Sequence, residues 1–336
     1  MAESFIRDGT LKVKIMAKKK KKGPDEGLTP NQYQKLNEEF YNEYFSDYFF
    51  IKFAVMANLV NQPEKMLEIF NDPQQNITFG ELKVDPFRIE QEEIVKFGKL
   101  ELSIMYYHCI ETFLRIFLAH STIPQCPWLE ISRETNYRKF KSDLKKLSDG
   151  KFGFRDDLTT DEIITYVFTG RKQLPTTINS TEIIKSLKEW IQWSAKELLE
   201  VYDYNAYKHG LTVTTDRRGF TIHNRDVDEK LEEHEESLKI IHKHDNGDRW
   251  VWMEKVIFTR FDSRSSCILI LQKLIYNILN VGKHTYLNRP LKKTVFLPHG
   301  NFTPHKILVN TSKYDNPFNL MFTEYSMELS YFEDKY

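Results

Sequence analysis

Apolar residues recur at helical spacing along most of the chain, and three long stretches carry this pattern most clearly. Residues three and four apart lie on one face of a helix, so an apolar stripe at that spacing indicates an inward face. The stretches are residues 89–120, 180–208 and 263–284, with stripes that include Phe113, Phe117, Ile184, Leu187, Ile191, Ile268, Leu271, Ile275 and Ile278. The sequence therefore predicts three long helices packed in one core.

Shorter helices are expected before and between these three. Thr29 is a favourable N-cap and Pro30 suits the first helical position, which predicts a helix from residue 30. A second apolar stretch covers residues 49–60. Residues 134–147 are rich in lysine and are predicted to form a short basic helix. Its inward residues are expected to be Phe140, Leu144 and Leu147.

Two stretches of alternating apolar and polar residues follow the helix that is expected to end near residue 208. Residues 211–223 alternate around Asp216-Arg217-Arg218-Gly219, and residues 238–258 alternate around Asn246-Gly247. Asn-Gly is the strongest short-range signal for a hairpin turn. The sequence predicts two β-hairpins, one turning near Arg217 and the other near Gly247.

The fold class that follows is mainly α with a small antiparallel β insertion (α+β), built on a helical-bundle core with two β-hairpins. Residues 1–29 are expected to be a disordered or flexible basic arm, because a lysine run is followed by Gly and Pro. Residues 30–87 form an N-terminal helical extension. The core covers residues 88–287 with the insertion at 211–258, and residues 288–336 form a C-terminal tail that packs on it.

Composition limits the classes of function. The chain has 48 basic and 48 acidic residues, which gives no general electrostatic reason to bind nucleic acid or a membrane and leaves room for a local basic patch. No apolar run is expected to span a bilayer, and three scattered cysteines favour a reducing compartment, so the expected location is the cytoplasm. No phosphate loop, dinucleotide fingerprint or metal-ligand motif is found, so neither a cofactor nor a metal site is expected.

The run from Tyr204 to Gly210 is the most informative candidate for chemistry. Asn205 and His209 are four residues apart and would lie one turn apart on the same helix face, with Lys208 beside them. An amide, an imidazole and an ammonium group together suit acid–base chemistry or phosphate binding. A basic last turn followed by Gly is also the ordinary end of a helix. Both interpretations remain open at this point.

A second polar set interrupts the first long helix. His108, Glu111 and Arg115 are spaced three and four apart, so they can touch one another. If the helices at 89–120 and 180–209 pack antiparallel, these groups would share a cleft with His209. The chemistry available there is metal-independent RNA cleavage, with His209 as base or acid. The alternatives are an i,i+4 ion pair, a helix cap and a buried histidine.

In that cleavage hypothesis the remaining groups would hold the phosphate. Asn205 would orient it, and Lys208 or Arg115 would neutralise its charge. Tyr204 precedes the pair and offers a hydroxyl, and we count it with the candidate catalytic residues.

At these residues the chain resembles the HEPN superfamily, over about residues 89–284. The resemblance rests on Glu111 in a long helix and on Asn205, Lys208 and His209 at the end of a later one. Catalytic members carry an Arg directly before the Asn-like residue, and this chain has Tyr204 there. A tyrosine does not supply the fixed positive charge of a guanidinium.

The resemblance implies a helical bundle, often a homodimer, that acts in RNA metabolism or in antiviral and toxin-type defence. One hypothesis is a metal-independent endoribonuclease with RNA as its partner. The other is a non-catalytic interaction or sensor subunit of a defence complex that binds a protein. In either case the resemblance favours a homodimer or a larger protein complex, and no membrane is expected as a partner.

Overall fold

The computed structural model describes twelve stretches of the chain. They are residues 4–7, 10–13, 27–71, 77–84, 88–133, 137–172, 179–200, 213–224, 229–258, 261–292, 302–311 and 324–328. The helices are α1 Pro30–Glu43, α2 Tyr48–Asn61, α3 Pro63–Phe70, α4 Gln91–Ser121, α5 Pro127–Arg133, α6 Tyr137–Ser148, α7 Thr160–Thr169, α8 Ser180–Glu200, α9 Phe261–Leu287 and α10 Pro304–Thr311. The strands are β1 Ser4–Arg7, β2 Thr10–Val13, β3 Ile77–Phe79, β4 Leu82–Val84, β5 Val213–Asn224, β6 Glu229–Asp245, β7 Trp250–Phe258 and β8 Glu324–Glu328.

The core is built around α4 and α9, which pack along each other. Both helices bury most of their apolar residues, and α2, α7 and α8 also contact α4. Because each of these helices has an apolar face at helical spacing, packing the faces together removes them from water. The helices predicted at 89–120 and 263–284 are confirmed by α4 and α9. The helix predicted at 180–208 is confirmed over residues 180–200, and its last part lies outside the described residues.

The N-terminal helices join this same core. The Thr29 hydroxyl accepts a hydrogen bond from the Gln32 backbone N–H at 3.4 Å, and the Gln32 side chain accepts one from the Thr29 N–H at 2.8 Å. This reciprocal pair is a capping box, with Pro30 at the first helical position as predicted. Phe40 and Tyr41 of α1 and Phe49 of α2 are buried in the main cluster. The segment after residue 30 is therefore packed into the core.

A close approach between α1 and α9 fixes their separation. The ring of Tyr41 lies directly over Gly282, in the space that a Cβ atom would occupy. The same tyrosine stacks on Tyr286 with ring centroids 5.8 Å apart. Its hydroxyl lies 2.8 Å from Nε2 of the buried His120, whose Nδ1 lies 2.7 Å from the carbonyl of Ile116. A carbonyl only accepts, so Nδ1–H donates to it and Nε2 accepts from the tyrosine.

The sheet confirms a mainly α fold with a small antiparallel β part. Four strands pair in the order β5-β6-β7-β8, all antiparallel. The turn predicted at Asn246-Gly247 joins β6 to β7, and Gly247 has φ +91°, where a side chain would be strained. The Asn246 side-chain oxygen accepts from the backbone N–H groups of Asp248 and Arg249 at 3.2 and 2.9 Å. The local sequence is thus sufficient to specify this turn.

The turn predicted near Arg217 is wrong. β5 runs without a break from Val213 to Asn224, and Arg217 and Arg218 lie within it, opposite Glu236 and Glu235 of β6. Residues 216–219 look like a turn when read alone, whereas here they pair with residues about 20 positions later.

The two faces of the β6–β7 hairpin have different environments. Leu238, Ile240 and Ile257 lie on the face that joins the main cluster. On the opposite face, beyond the ends of β5 and β8, Trp250 and Trp252 are 60% and 59% exposed. The hairpin therefore anchors one end in the helical body and carries two tryptophans outward at the other.

Two short strand pairs lie outside the four-stranded sheet. β1 pairs with β2 inside the segment expected to be an arm, and β3 pairs with β4 after α3.

Helix α9 is long and apolar enough to cross a membrane by length and composition, yet 67% of its most apolar window is buried inside the protein. In this fold α9 is accordingly a core helix.

Candidate functional site

The four motif residues of the later helix, Tyr204, Asn205, Lys208 and His209, lie outside the described residues. The structure describes α8 up to Glu200, four residues before Tyr204.

A buried polar cluster lies at this end of α8, which we call the junction cluster (Tyr106, Tyr107, Glu197 and Arg264). The Tyr106 hydroxyl donates to Oε2 of Glu197 at 3.0 Å. The Arg264 guanidinium lies 5.3 and 5.4 Å from the ring centroids of Tyr106 and Tyr107, and its Nη2 donates to the Tyr107 hydroxyl at 3.4 Å. These contacts join the middle of α4 to the last turn of α8 and the first turn of α9.

Burial raises the pKa of Tyr106 well above its ordinary value, and the nearby Glu197 carboxylate raises it further. The positive charge of Arg264 acts in the opposite direction. Tyr106 is therefore a neutral donor near pH 7, which holds the carboxylate in place. Sequence reasoning missed this cluster. One signal was available, since an arginine in the first turn of an apolar helix is unfavourable to the helix dipole unless partners stabilise it.

Glu111 and Arg115 form the ion pair that their spacing allows. Nε and Nη2 of Arg115 donate to Oε1 of Glu111 at 2.8 and 2.6 Å. The guanidinium also lies 4.0 Å from the centroid of the Phe140 ring in α6. Both side chains are largely buried, with Arg115 21% and Glu111 12% exposed. Arg115 is thus held on two sides, by a carboxylate of its own helix and by an aromatic ring of the next layer.

His108 contacts a different helix. Its ring meets Phe49 edge-on at 5.1 Å and Tyr48 at 6.0 Å, so it packs against the start of α2. Arg115, two turns further along α4, packs against α6 instead. The described ring contacts of His108 and Arg115 are therefore made with two different helices, α2 and α6.

Helix α6 presents a basic face, as the sequence predicts. Phe140, Leu144 and Leu147 are buried, while the outward positions are occupied by Arg138, Lys139, Lys141, Lys145 and Lys146. Asp143 is buried and pairs with Lys146 at 2.7 Å and with Lys139 at 3.6 Å. Within the described part of the chain, Lys141 and Lys145 have no ion-pair partner. Among the described residues, the positive charges of these two lysines are therefore uncompensated.

The charge on α6 is a local feature. Residues 137–151 hold six basic residues against two aspartates, whereas the whole chain balances 48 against 48. Clustered lysines attract phosphate groups electrostatically without base specificity. The buried side of α6 rests on Arg115 through Phe140, so the basic face is anchored in the core.

A surface groove lies between α1, α4 and α5. It has a volume of about 520 Å³ and is lined by Glu39, Phe40, Glu43, Tyr44, Thr112, Arg115, Ile116, Trp128 and Ile131. Phe40 stacks on Trp128 with centroids 6.0 Å apart and planes inclined by 25°. Burial raises the pKa of Tyr44 to about 12, so its hydroxyl stays neutral. The size and mainly apolar walls are those of ligand-binding clefts in proteins.

The groove brings Arg115 together with residues that the sequence did not single out. Glu39 and Glu43 are exposed on its α1 wall, four residues apart, and neither has an ion-pair partner among the described residues. Like charges at that spacing destabilise a helix slightly. The repulsion between Glu39 and Glu43 was the one sign of this groove in the sequence. The opposite wall is formed by α4 and α5, and only tertiary packing brings those helices beside α1.

Comparison of the chain with known protein families, with curated proteins and with solved structures gives no match. Among the residues that the structure describes, no group of three or more His, Cys, Asp and Glu side chains could hold a metal ion. Cys109, Cys126 and Cys267 are all free and buried.

Proposed function

We propose that the protein binds RNA through the basic face of α6 and acts in RNA metabolism or in defence against foreign genetic elements in the cytoplasm. The observation that carries this proposal is the set of outward lysines on α6 in a chain of zero net charge. A phosphate backbone neutralises such a row and releases bound counterions, which favours association.

The cleavage step belongs to the motif that follows α8. His209 takes the proton of the attacking 2′-hydroxyl or donates one to the leaving oxygen, while Asn205 and Lys208 hold the phosphate. Histidine is the side chain whose pKa suits both proton transfers near neutral pH. The junction cluster supports this assignment, because its contacts fix the end of the helix from which the motif continues.

RNA binding is tested by reversing charge on α6. The double variant Lys141→Glu/Lys145→Glu changes two lysines without ion-pair partners in the described chain, and should lower affinity for a single-stranded RNA at least about tenfold. Lys35→Glu/Lys65→Glu is the matched control, since it makes the same charge change at exposed positions of α1 and α3. Equal losses in both variants would show that net charge alone matters and would refute a role for α6.

Cleavage is tested separately with purified protein and total RNA. We expect scission that EDTA does not inhibit, that His209→Ala abolishes, and that Asn205→Ala slows through lost positioning. Tyr204→Phe shows whether the hydroxyl takes part. Activity that survives His209→Ala, or that needs a divalent metal, would disprove the mechanism while leaving RNA binding by α6 intact.

A second candidate function is a non-catalytic subunit that works through protein contacts. The observation that favours it is the outward face of α2, where Tyr48, Phe50, Ile51 and Val55 are exposed. A helix that is apolar on all sides is normally covered. Lys52 is the one Lys, Arg, Asp or Glu residue of α2, and it pairs with Glu101 of α4 at 3.2 Å, so the helix leaves no net charge on this face. Two copies can therefore meet there without like-charge repulsion, and we propose a second copy as the occupant.

The exposed area is consistent with a dimer. Six large exposed residues lie in α2, shortly before it or in the neighbouring α4, and four of them are aromatic. Each exposes about half of its side chain, so together they offer on the order of 600 Å². The six are Phe45, Tyr48, Phe50, Ile51, Val55 and Phe97. Stable interfaces bury about 800 Å² per partner.

Sedimentation at micromolar concentration should show a dimer that Ile51→Asp converts to a monomer. Leu269→Asp, which changes an exposed leucine of α9, should leave the dimer intact. A wild-type monomer would exclude this interface.

A further inference from the structure

We infer that the groove between α1, α4 and α5 binds a peptide segment in which bulky apolar residues alternate with lysine or arginine. The groove combines an apolar floor with acidic side chains at its edge, and this combination fits a cationic amphipathic segment. The inference does not depend on RNA binding or on the motif at 204–209.

The floor of the groove supplies the apolar part of recognition. Phe40 and Ile116 are buried beneath it, and Trp128 covers one side while remaining 38% exposed. An exposed tryptophan beside a cleft is the residue type that most often contributes strongly to a protein interface. Burying the rest of its surface under an apolar side chain would stabilise the complex. The volume of about 520 Å³ holds two or three large side chains.

The charges around the groove select the sign of the ligand. Glu39 and Glu43 project from adjacent turns of α1 and have no ion-pair partner in the described part of the chain. The cation at the groove, Arg115, is already held by Glu111 at 2.6 Å. The groove walls and this ion pair therefore contain three carboxylates and one guanidinium, and the excess charge is negative. An approaching ammonium or guanidinium group relieves the repulsion between Glu39 and Glu43.

The same charges argue against an RNA occupant. A phosphate backbone would be repelled by Glu39 and Glu43, which have no ion-pair partner among the described residues. The proposed RNA surface is the outward face of α6, whereas Arg115 of the groove contacts Phe140 on the buried side of that helix. The two surfaces thus attract partners of opposite charge.

Binding is tested by fluorescence anisotropy with two labelled amphipathic peptides that share one pattern of leucines. One has lysine at its polar positions and the other has glutamate. We expect the lysine peptide to bind the full-length protein and the glutamate peptide to bind at least about tenfold more weakly. The reason is that Glu39 and Glu43 attract the lysines of the first peptide and repel the glutamates of the second. Absence of binding by the lysine peptide, or equal binding of both, would overturn the inference.

Variants locate the site. Glu39→Gln/Glu43→Gln keeps shape and should weaken the lysine peptide at least about fivefold. Glu64→Gln/Glu68→Gln is the matched control, because this exposed pair on α3 has the same four-residue spacing outside the groove, and it should stay within that limit. Trp128→Ala should weaken binding of both peptides, because both present the same leucines to the groove. A smaller loss in the Glu39/Glu43 variant would place the binding elsewhere and refute the inference.

Discussion

Helices α2 and α6 make an instructive pair, because both rest on the core with one face and present opposite chemistry with the other. The outward face of α6 consists of arginine and lysine, whereas that of α2 consists of aromatic and aliphatic side chains. Solvation suits the first, and a cationic face attracts anions. The second leaves apolar surface in water, which favours a covering partner. The kind of partner that each helix attracts is therefore decided by its outward residues and not by its buried ones.

Both helices rest on the same core, and the largest expected effect is the loss of core stability in acid. Burial lowers the pKa of His120 to about 4, against an ordinary value of about 6.5 in the unfolded chain. Below about pH 6.5 the unfolded state binds a proton that the folded state excludes. Stability should thus be complete above that pH and fall by about 3 kcal/mol as the pH drops to about 4.

Chemical denaturation between pH 4 and 7 measures this loss. His120→Gln should be less stable at neutral pH and lack most of the pH dependence in that window. His305→Gln is the control, since His305 is exposed. An unchanged pH dependence in the His120 variant would mean that other groups cause the acid sensitivity.

Salt should separate the two helices directly. If about four phosphates contact α6, raising salt from about 50 to 200 mM should weaken binding of single-stranded RNA about 50-fold, or roughly 2 kcal/mol. Self-association through α2 should not weaken, because its face carries no uncompensated charge. Anisotropy and sedimentation measured in the same buffers decide the point. Parallel losses would show that both associations are electrostatic and would remove the distinction.

A single methyl group tests how closely the core is packed. Gly282→Ala places a Cβ atom against the ring of Tyr41, which is fixed by stacking on Tyr286 and has little room to move. We expect a loss of about 2 kcal/mol in the free energy of unfolding. Gly153→Ala is the control, because nothing lies within 4 Å of its added Cβ. Equal stability of both variants would show that the contact between α1 and α9 yields easily.

The smallest effect is expected from the ion pair at the edge of α2. Glu101→Gln should cost about 0.5 kcal/mol of stability, because Lys52 and Glu101 are each 25% exposed and partly screened. It should also weaken self-association, since Lys52 becomes an uncompensated charge beside the apolar face. Glu92→Gln breaks the more exposed pair with Lys96 and is expected to change neither quantity. Stronger association in Glu101→Gln would contradict the dimer surface.

Local patterns predicted the parts of the fold that depend on neighbours in sequence. The stripes of α4 and α9, the Thr29 cap and the Asn246-Gly247 turn all follow from residues within a few positions of one another. The turn expected near Arg217 was wrong because its residues pair with Glu235 and Glu236, and no local rule specifies that distant register.

The candidate site divides in the same way. The pair of Glu111 with Arg115 and the basic face of α6 are visible in sequence, because both depend on helical periodicity. The junction cluster around Arg264 and the groove beside Trp128 each combine three helices. Which helices meet is decided by the packing of the whole core, so their residues could not be selected from spacing alone.

The distribution of tryptophan gives the protein its own set of optical reporters. All five tryptophans lie in described parts of the chain: Trp190 is fully buried, Trp193 packs against it at 5.4 Å, and the other three are exposed. A soluble quencher such as iodide should reach Trp128, Trp250 and Trp252 and leave Trp190 emitting at shorter wavelength. Substituting Trp250 and Trp252 by Phe would leave Trp128 as the main quenchable emitter. Ligand entry at the groove and unfolding of the core would then appear as two separate spectral changes in one unlabelled chain.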